Sequence, residues 1–350
     1  MGWTVVPRTE GPAGTDVPEI VALGEPMAEF AAVERGRLST VTTFRRGFGG
    51  DTSNFVVAAA RLGGRCGYIT RLGDDEFGRA FLDLWHREGI DTSRVVVEPD
   101  GFTGVYFTAL AEDGSHSFIY YRAGSAASRL GPADISVDYL ATARLVHTSG
   151  ITLAISESAR AAAEAMVEAA RRCGVMVSFD ANVRPRLLDL RRLGPIVEET
   201  MGKADLVFLS AEDADHLYGP LSPARVVERV LAGGARIVAF KLGADGCLVA
   251  GADGSRWAVP SWPVEPVDAT GAGDAFDAAF VIQWLRGVPP EEAARFANAV
   301  GALVASGLGA VDPIPTRSQV EAFMEGARAA PRQAAGPLGG TGRRGGGRKS

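Results

Sequence analysis

The sequence predicts an α/β layered fold, and three observations carry that prediction. Short apolar runs at 20–23, 67–71, 145–148, 175–179, 206–209 and 237–241 have the character of strands buried on both faces of a parallel sheet. Helical stretches lie between most of them, so strand and helix alternate from about residue 19 to residue 326. Two segments, 27–44 and 103–122, break the rhythm and read as strand pairs with turns.

Each element has a local reason. The stretch 52–62 places Phe55, Ala58, Ala59 and Leu62 at helical spacing. The stretch 157–173 is Ala-rich, with Ser156 before it as an N-cap and Gly174 after it as a stop. A third helix opens near residue 271 and sets Phe276, Ala279, Phe280 and Trp284 on one face. Of the two irregular segments, the first turns at Glu34-Arg35-Gly36 and the second at Glu112-Asp113-Gly114-Ser115. The second is aromatic, with Phe102, Tyr106, Phe107, Phe118, Tyr120 and Tyr121. We read the two, about 27–46 and 101–124, as a small separate sheet forming a lid over the C-terminal edge of the main sheet, where ligands of open α/β sheets bind. An edge extension of the main sheet is the plainer alternative. Residues 1–18 are expected to be flexible, broken by Gly11, Pro12, Gly14 and Pro18. Residues 327–350 are expected to be a disordered basic tail, too Gly- and Arg-rich to bury a core.

Composition narrows the function. The chain has 350 residues, 46% hydrophobic and 22% charged, as in a soluble globular protein with a large core. The net charge is −6, although the tail carries Arg332, Arg343, Arg344, Arg348 and Lys349 without one acid. The rest of the chain is therefore more acidic still, which argues against a nucleic-acid partner. No apolar run is long enough for a membrane span, and no signal-peptide pattern opens the chain. Cys66, Cys173 and Cys247 are far apart, which suggests small buried hydrophobes in a reducing cytoplasm. The four histidines lack metal-ligand spacing. A Gly-x-Gly-x-x-Gly match at 340–345 has no strand before it or helix after it, so it is not a dinucleotide site.

The chemistry concentrates in Val267-Asp268-Ala269-Thr270-Gly271-Ala272-Gly273-Asp274-Ala275-Phe276. Small residues at a helix N-terminus crowd unpaired N–H groups where the dipole is positive, which suits an anion. Asp274 beside such a site reads as a base for a hydroxyl that attacks a phosphate; a plain helix-starting Asp is the alternative. The helix dipole should make it a weak base. A second glycine pair, Gly49-Gly50, precedes Asp51, Thr52 and Asn54, and permits close approach of a ligand or simply turns the chain. A third loop, Lys241-Leu242-Gly243-Ala244-Asp245-Gly246, follows a strand and closes a tight turn.

Together these strings resemble the signatures of the ribokinase-like carbohydrate kinases of the phosphofructokinase-B type, over roughly residues 19–326. The resemblance implies a ribokinase-like three-layer α/β/α sandwich with a small β-sheet lid. It implies that Gly271, Ala272 and Gly273 form an anion hole, that Asp274 is the catalytic base, and that Gly49, Gly50 and Asn54 contact the sugar. It implies a nucleotide site built from Ser210, Lys241, Gly243 and Gly246. The family's Asn-x-x-Glu motif reads Ser210-Ala211-Glu212-Asp213 here, which makes Asp213 the candidate to hold Mg²⁺ through water. ATP and Mg²⁺ follow as cofactors, and a K⁺ ion beside the anion hole is implied, with oxygens from Asp268, Thr270 and the turn 306–312.

Gly101-Phe102-Thr103-Gly104-Val105-Tyr106, Tyr120-Tyr121-Arg122, Thr148-Ser149-Gly150-Ile151 and the stretch 179–186 resemble one subgroup, the 2-keto-3-deoxygluconate kinases. The subgroup's substrate residues fall on Tyr106, Tyr120, Arg122 and Arg184. A sugar acid carries a carboxylate, which planar Arg binds bidentately. Taken singly, Arg122 also reads as a lid-surface charge and Arg184 as a salt bridge. The expected function is therefore ATP-dependent phosphorylation of 2-keto-3-deoxygluconate at its terminal hydroxyl. A fructokinase or other neutral-sugar kinase is the alternative within the fold, and a non-catalytic sugar-acid sensor is the alternative of another class. Homodimers through the lid sheets are expected, with no membrane partner.

Overall fold

The computed structural model describes residues 17–111 and 116–329. Most of the N-terminal segment, the lid turn at 112–115 and the chain from 330 onward, all subjects of sequence expectations, lie outside the described residues.

The chain opens with β1 (Ile20–Leu23), then β2 (Met27–Ala32) and β3 (Phe44–Gly49). Helix α1 (Asp51–Arg61) leads to β4 (Cys66–Gly73), α2 (Glu76–Arg87) and β5 (Asp91–Glu98). Strands β6 (Gly104–Leu110) and β7 (His116–Tyr121) follow, then α3 (Val137–Thr142), β8 (Leu145–Ser149), α4 (Gly150–Ile155), α5 (Glu157–Arg172) and β9 (Met176–Asp180). Next come α6 (Leu190–Lys203), β10 (Leu206–Ser210), α7 (Ala211–Tyr218), α8 (Pro223–Ala232), β11 (Ile237–Lys241), β12 (Cys247–Gly251) and β13 (Arg256–Val259). Helices α9 (Ala272–Leu285), α10 (Pro290–Ala305) and α11 (Arg317–Ala329) complete it, the last running past the expected end of the domain at 326.

Nine strands form the main sheet, in the order β13-β12-β11-β10-β9-β8-β1-β4-β5. From β11 to β5 every pairing is parallel; β12 and β13 add an antiparallel edge. The order reverses at β1, which sits between β8 and β4, so the ends of β1, β8 and β9 flank the switch point where open α/β sheets bind ligands.

Side chains alternate across the sheet and make two cores. Ile20, Ala22, Phe208 and Ala239 pack with α1, α2, α9 and α10 on one face. Val21, Leu23, Phe179, Val207 and Val238 pack with α5, α6 and α8 on the other. The result is a three-layer α/β/α sandwich. Ser156 caps α5 through the Ala159 amide at 3.0 Å, as its position predicts, and Gly174 takes φ 67 just past the helix end. The expectation that α9 presents one apolar face is corrected: every residue from Ala275 to Leu285 is buried, because α1, α10 and the sheet enclose the helix.

The remaining four strands form a second sheet, ordered β3-β2-β6-β7, so the edge-extension alternative does not hold. The register pairs Glu29 with Gly47 and Tyr106, and Tyr106 with Tyr120. By the pleat, Glu29, Arg45, Tyr106 and Tyr120 share one face, and Phe30, Phe44, Phe107, Ile119 and Tyr121 share the other.

Candidate active site

The first turn of α9 is built for close packing. Gly271 is its N-cap at φ 79, where a Cβ would stand 2.7 Å from the Ala310 carbonyl oxygen. Only glycine satisfies both demands. The Ala272 amide donates to the Ala269 carbonyl at 3.1 Å, which leaves the amides of Gly273 and Asp274 as the open donors of the first turn. Asn54, in the first turn of α1, donates its Nδ2 to Asp274 Oδ2 at 2.8 Å. The Asn54 Oδ1 is buried and has no partner in the protein, which leaves an acceptor aimed into the site. Gly49 and Gly50 have a structural reason beside the sugar contact expected of them. A Cβ on Gly50, at φ 95, would lie 2.2 Å from the Glu25 carbonyl oxygen, and one on Gly49 would strike the Tyr106 ring.

Beneath Asp274 lies a cluster of charge. Lys241, at the end of β11, donates to Asp180 Oδ2 at 3.1 Å and to both Asp277 oxygens at 3.0 Å. Asp277 stands three residues after Asp274 on α9, one helical turn along the same side. The ammonium also lies 3.5 Å from where a Cβ on Gly273 would be, so it underlies the anion hole. The sequence expectation gave Lys241 to the nucleotide; the structure shows it 14% exposed and held between two carboxylates, with a raised pKa. Asp51 adds another buried acid, tied to Asn182 Nδ2 at 3.0 Å; Asn182 itself takes the unusual φ of 32 to aim that amide. Burial, with Asp51 and Asp180 nearby, raises Asp274 to about 7 against the opposing Asn54 and Lys241. The expectation of a weak base is therefore corrected: desolvation outweighs the helix dipole here.

Ser210 and Asp213 hold each other. Asp213 Oδ2 accepts from the Ser210 amide at 2.8 Å and hydroxyl at 2.6 Å, and the Ser210 Oγ accepts from the Asp213 amide. This is a capping box for α7. Asp213 Oδ1 accepts from the Val183 amide at 2.7 Å, so both oxygens already hold protein donors. Among the described residues, Asp180 Oδ1 is a buried carboxylate oxygen without a hydrogen-bond partner. Gly243, at φ 60, has open space where a Cβ would point, whereas Gly246 is pressed against the Val259 carbonyl.

The lid face brings the other expected residues in. The Tyr106 hydroxyl donates to Glu29 Oε1 at 2.6 Å. Burial raises the pKa of the Tyr120 hydroxyl against the opposing charges of Arg184, Arg122 and Arg186. The Arg122 guanidinium stands 5.8 Å from the centre of the Tyr120 ring. The two expected arginines are not alike. Arg122 is buried and donates through Nη2 to the buried Glu25, which also accepts from Ser125 at 2.8 Å. Burial pushes Glu25 up, and Arg122 and Ser125 work against it. Arg184 is 43% exposed, with Nη1 on the Val183 carbonyl and 3.9 Å from Asp213. The residues expected around K⁺ do meet. Asp268 takes the Thr270 amide and hydroxyl on one oxygen and the Gly309 amide on the other.

Glu25, Glu29, Asp180 and Asp277 were not singled out from sequence. Asp180 and Glu25 follow sheet strands at their C-terminal ends, and Asp277 is helically spaced from Asp274. Those placements were the available signals.

The model of the pfkB family of carbohydrate kinases matches residues 17–317. A 2-dehydro-3-deoxygluconokinase of Thermoproteus tenax is 37% identical over 87% of this chain and 94% of its own length. Fructokinase-1 of Oryza sativa subsp. japonica is 33% identical over 88% of this chain and 98% of its own. A candidate ribokinase II from E. coli, solved in complex with ATP and Mg²⁺, superposes with a TM-score of 0.82 at 26% identity, covering 88% of this chain and 99% of that one. With residues 17–317 matched and Asp274 at the head of an enclosed helix, the chain belongs to the pfkB family of carbohydrate kinases.

Proposed function

We propose that this sugar kinase transfers the γ-phosphoryl group of ATP to the terminal hydroxyl of 2-keto-3-deoxygluconate, giving the 6-phosphate. One observation carries the reading: the Arg122 guanidinium lies 5.8 Å from the centre of the Tyr120 ring, and the charges of Arg122 and Arg184 both act on the Tyr120 hydroxyl. A planar carboxylate is the ligand that such arginines recognise. The 37% identical relative named as 2-dehydro-3-deoxygluconokinase supports it.

The derived steps use residues of this chain. Asn54 holds Asp274 against the acceptor hydroxyl, and its free Oδ1 accepts from a neighbouring sugar hydroxyl. Asp274, raised to about 7, takes the proton as phosphorus–oxygen bonding advances. A loose phosphoryl-transfer transition state needs little prior deprotonation, so this pKa suffices. The amides of Gly271 and Gly273 and the Lys241 ammonium beneath them stabilise charge on the transferring group, while the Ala272 amide is held by the Ala269 carbonyl. Gly243 and Gly246 shape the turn that lies under the nucleotide. Asp51, Asp180, Asp274 and Asp277 outnumber Lys241, and the unpartnered Asp180 Oδ1 fits a hydrated divalent cation. Mg²⁺, when bound, neutralises phosphate charge. Oxygens of Thr270 and the turn 306–312 are proposed to hold K⁺, with Asp268 fixing both segments; equal activity in potassium, sodium and tetramethylammonium buffers would sink that idea.

A neutral-sugar kinase is the second reading, favoured by the pairing of Arg122 with Glu25, which offsets half of the arginine charge. The Asn54–Asp274 contact argues against a sensor that does no chemistry. The exposed Ile119 and Tyr121, beside Phe30, Phe44 and Phe107, support a homodimer through the lid. No helix among the described residues is long and apolar enough to cross a membrane, and we propose a cytoplasmic enzyme. An ATP-consumption screen across sugar acids and neutral sugars tests the assignment. A kcat/KM for fructose above that for 2-keto-3-deoxygluconate would replace it with the second reading.

A further inference from the structure

Glu29 lies on β2 of the lid, is 2% exposed, and faces three other elements at once. Its Oε1 accepts from the Tyr106 hydroxyl of β6 at 2.6 Å. Gly309 packs so near the same carboxyl that a Cβ there would be 3.0 Å from Oε2, and the neighbouring Ala310 N–H favours its charged form. The charged groups around it are Arg45 of β3 and Asp268 of the loop before α9. The 307–312 turn that Glu29 touches is also the wall of the anion hole, since Ala310 packs on Gly271 and Asp268 holds the Gly309 amide. Arg45 reinforces the junction from the same lid face, donating to the Leu308 carbonyl and standing 3.7 Å from Asp312.

We infer that Glu29 is a positioning residue that couples the acceptor-facing Tyr106 to the anion hole, so that seating the acceptor under the lid fixes the 307–312 turn against Gly271. The path runs from the Tyr106 hydroxyl to the Glu29 carboxyl, whose second oxygen lies against Gly309, and from the adjoining Ala310 to Gly271. Burial raises Glu29 to about 7, and the Ala310 N–H beside it favours the ionised form. An amide in its place keeps an acceptor for Tyr106 but turns a donor toward the backbone of the turn. An apolar side chain of the same length would fill the space without accepting from Tyr106. The inference rests on reading Tyr106 as an acceptor-contacting residue, and the test separates the two.

The test uses Glu29→Gln, Tyr106→Phe and the double variant in the full chain. Without any substrate, amide exchange across 307–312 should speed up in Glu29→Gln by about tenfold, as for a locally loosened segment. Unchanged exchange would overturn the coupling whatever the substrate is. With the best acceptor from the screen, Glu29→Gln should lower kcat by roughly 10- to 100-fold through misplacement of the anion hole, with the KM for ATP within about twofold. Tyr106→Phe should then add almost no loss of kcat in the Glu29→Gln background, because both variants cut one link. Fully additive losses would overturn the coupling. Should Glu29→Gln fail to fold, Arg45→Ala reads the same junction from an exposed position. Faster 307–312 exchange with a lowered kcat supports the inference, and wild-type behaviour in both measurements overturns it.

Discussion

Asn54 Nδ2 and Asp274 Oδ2 meet at 2.8 Å although 220 positions separate them in the chain. The contact joins the first turns of α1 and α9, so the group that orients the base comes from the helix that follows the lid.

Asp274→Asn should leave the fold and ATP binding intact and lower kcat by at least about a thousandfold, as for loss of a base acting in a charged site. Steady-state and nucleotide-binding measurements on the variant decide it. A kcat within about tenfold of wild type would remove Asp274 from the mechanism.

Asp274 also makes a pH prediction with a definite sign. Its ordinary value is 3.8 and the folded value is about 7, so between these the folded chain holds the proton that the unfolded chain has lost. The contribution of this group to stability is greatest below 3.8 and is lost as pH rises through about 7. Asp274→Asn should therefore melt higher than wild type at pH 8, with the gap closing at acid pH. In wild type, kcat/KM should fall with unit slope as pH drops below about 7, because the base becomes protonated. Melting curves that run parallel at all pH values would refute the assignment of the shift.

The two arginines should fail differently. Arg184 is 43% exposed, so Arg184→Ala should leave melting unchanged. It should weaken kcat/KM for the sugar acid by roughly 2–5 kcal/mol, as for truncating one partner of a charge pair, and spare neutral sugars. Arg122→Ala strands the buried Glu25 and should cost about 3–5 kcal/mol of stability as well. Combining it with Glu25→Gln should restore the melting temperature but not the activity. Equal losses on acid and neutral acceptors in Arg184→Ala would show that Arg184 positions the lid or the phosphates.

Lys241→Met leaves Asp180 and Asp277 facing each other without their cation. Destabilisation of about 3–5 kcal/mol is expected, as for removal of one member of a buried ion cluster. Asp277→Asn in the same chain should recover a large part of it. Thermal or urea unfolding of the single and double variants measures this, and a single variant as stable as wild type would mean that the cluster is not paired as described.

The core strands were legible because burial on both faces leaves no polar interruption: Ile20–Leu23 and Ile237–Lys241 emerge at the predicted limits. The half-exposed edges β5 and β13 were not, since a run such as DTSRVVVE or RWAV carries no such signature. Asp274 was legible from four consecutive residues whose chemistry is local. Glu25 and Arg122 were not a visible pair, because only the closing of the lid onto β1 brings positions 97 apart together. The capping role of Ser210 and Asp213 was hidden for the opposite reason: a helix cap and a ligand site ask for the same residue types.

The enclosure of α9 on every side has a consequence for how this protein can be remodelled. A change anywhere from Ala275 to Leu285 disturbs packing on several fronts, so the machinery at its head is a fixed anvil. The residues proposed to choose the acceptor, Tyr106 and Tyr120, sit instead on strands whose outer face is partly open. A new acceptor range is therefore best sought by shuffling lid segments onto an untouched body, and random mutagenesis should return its altered-specificity variants from the two inserted strand pairs.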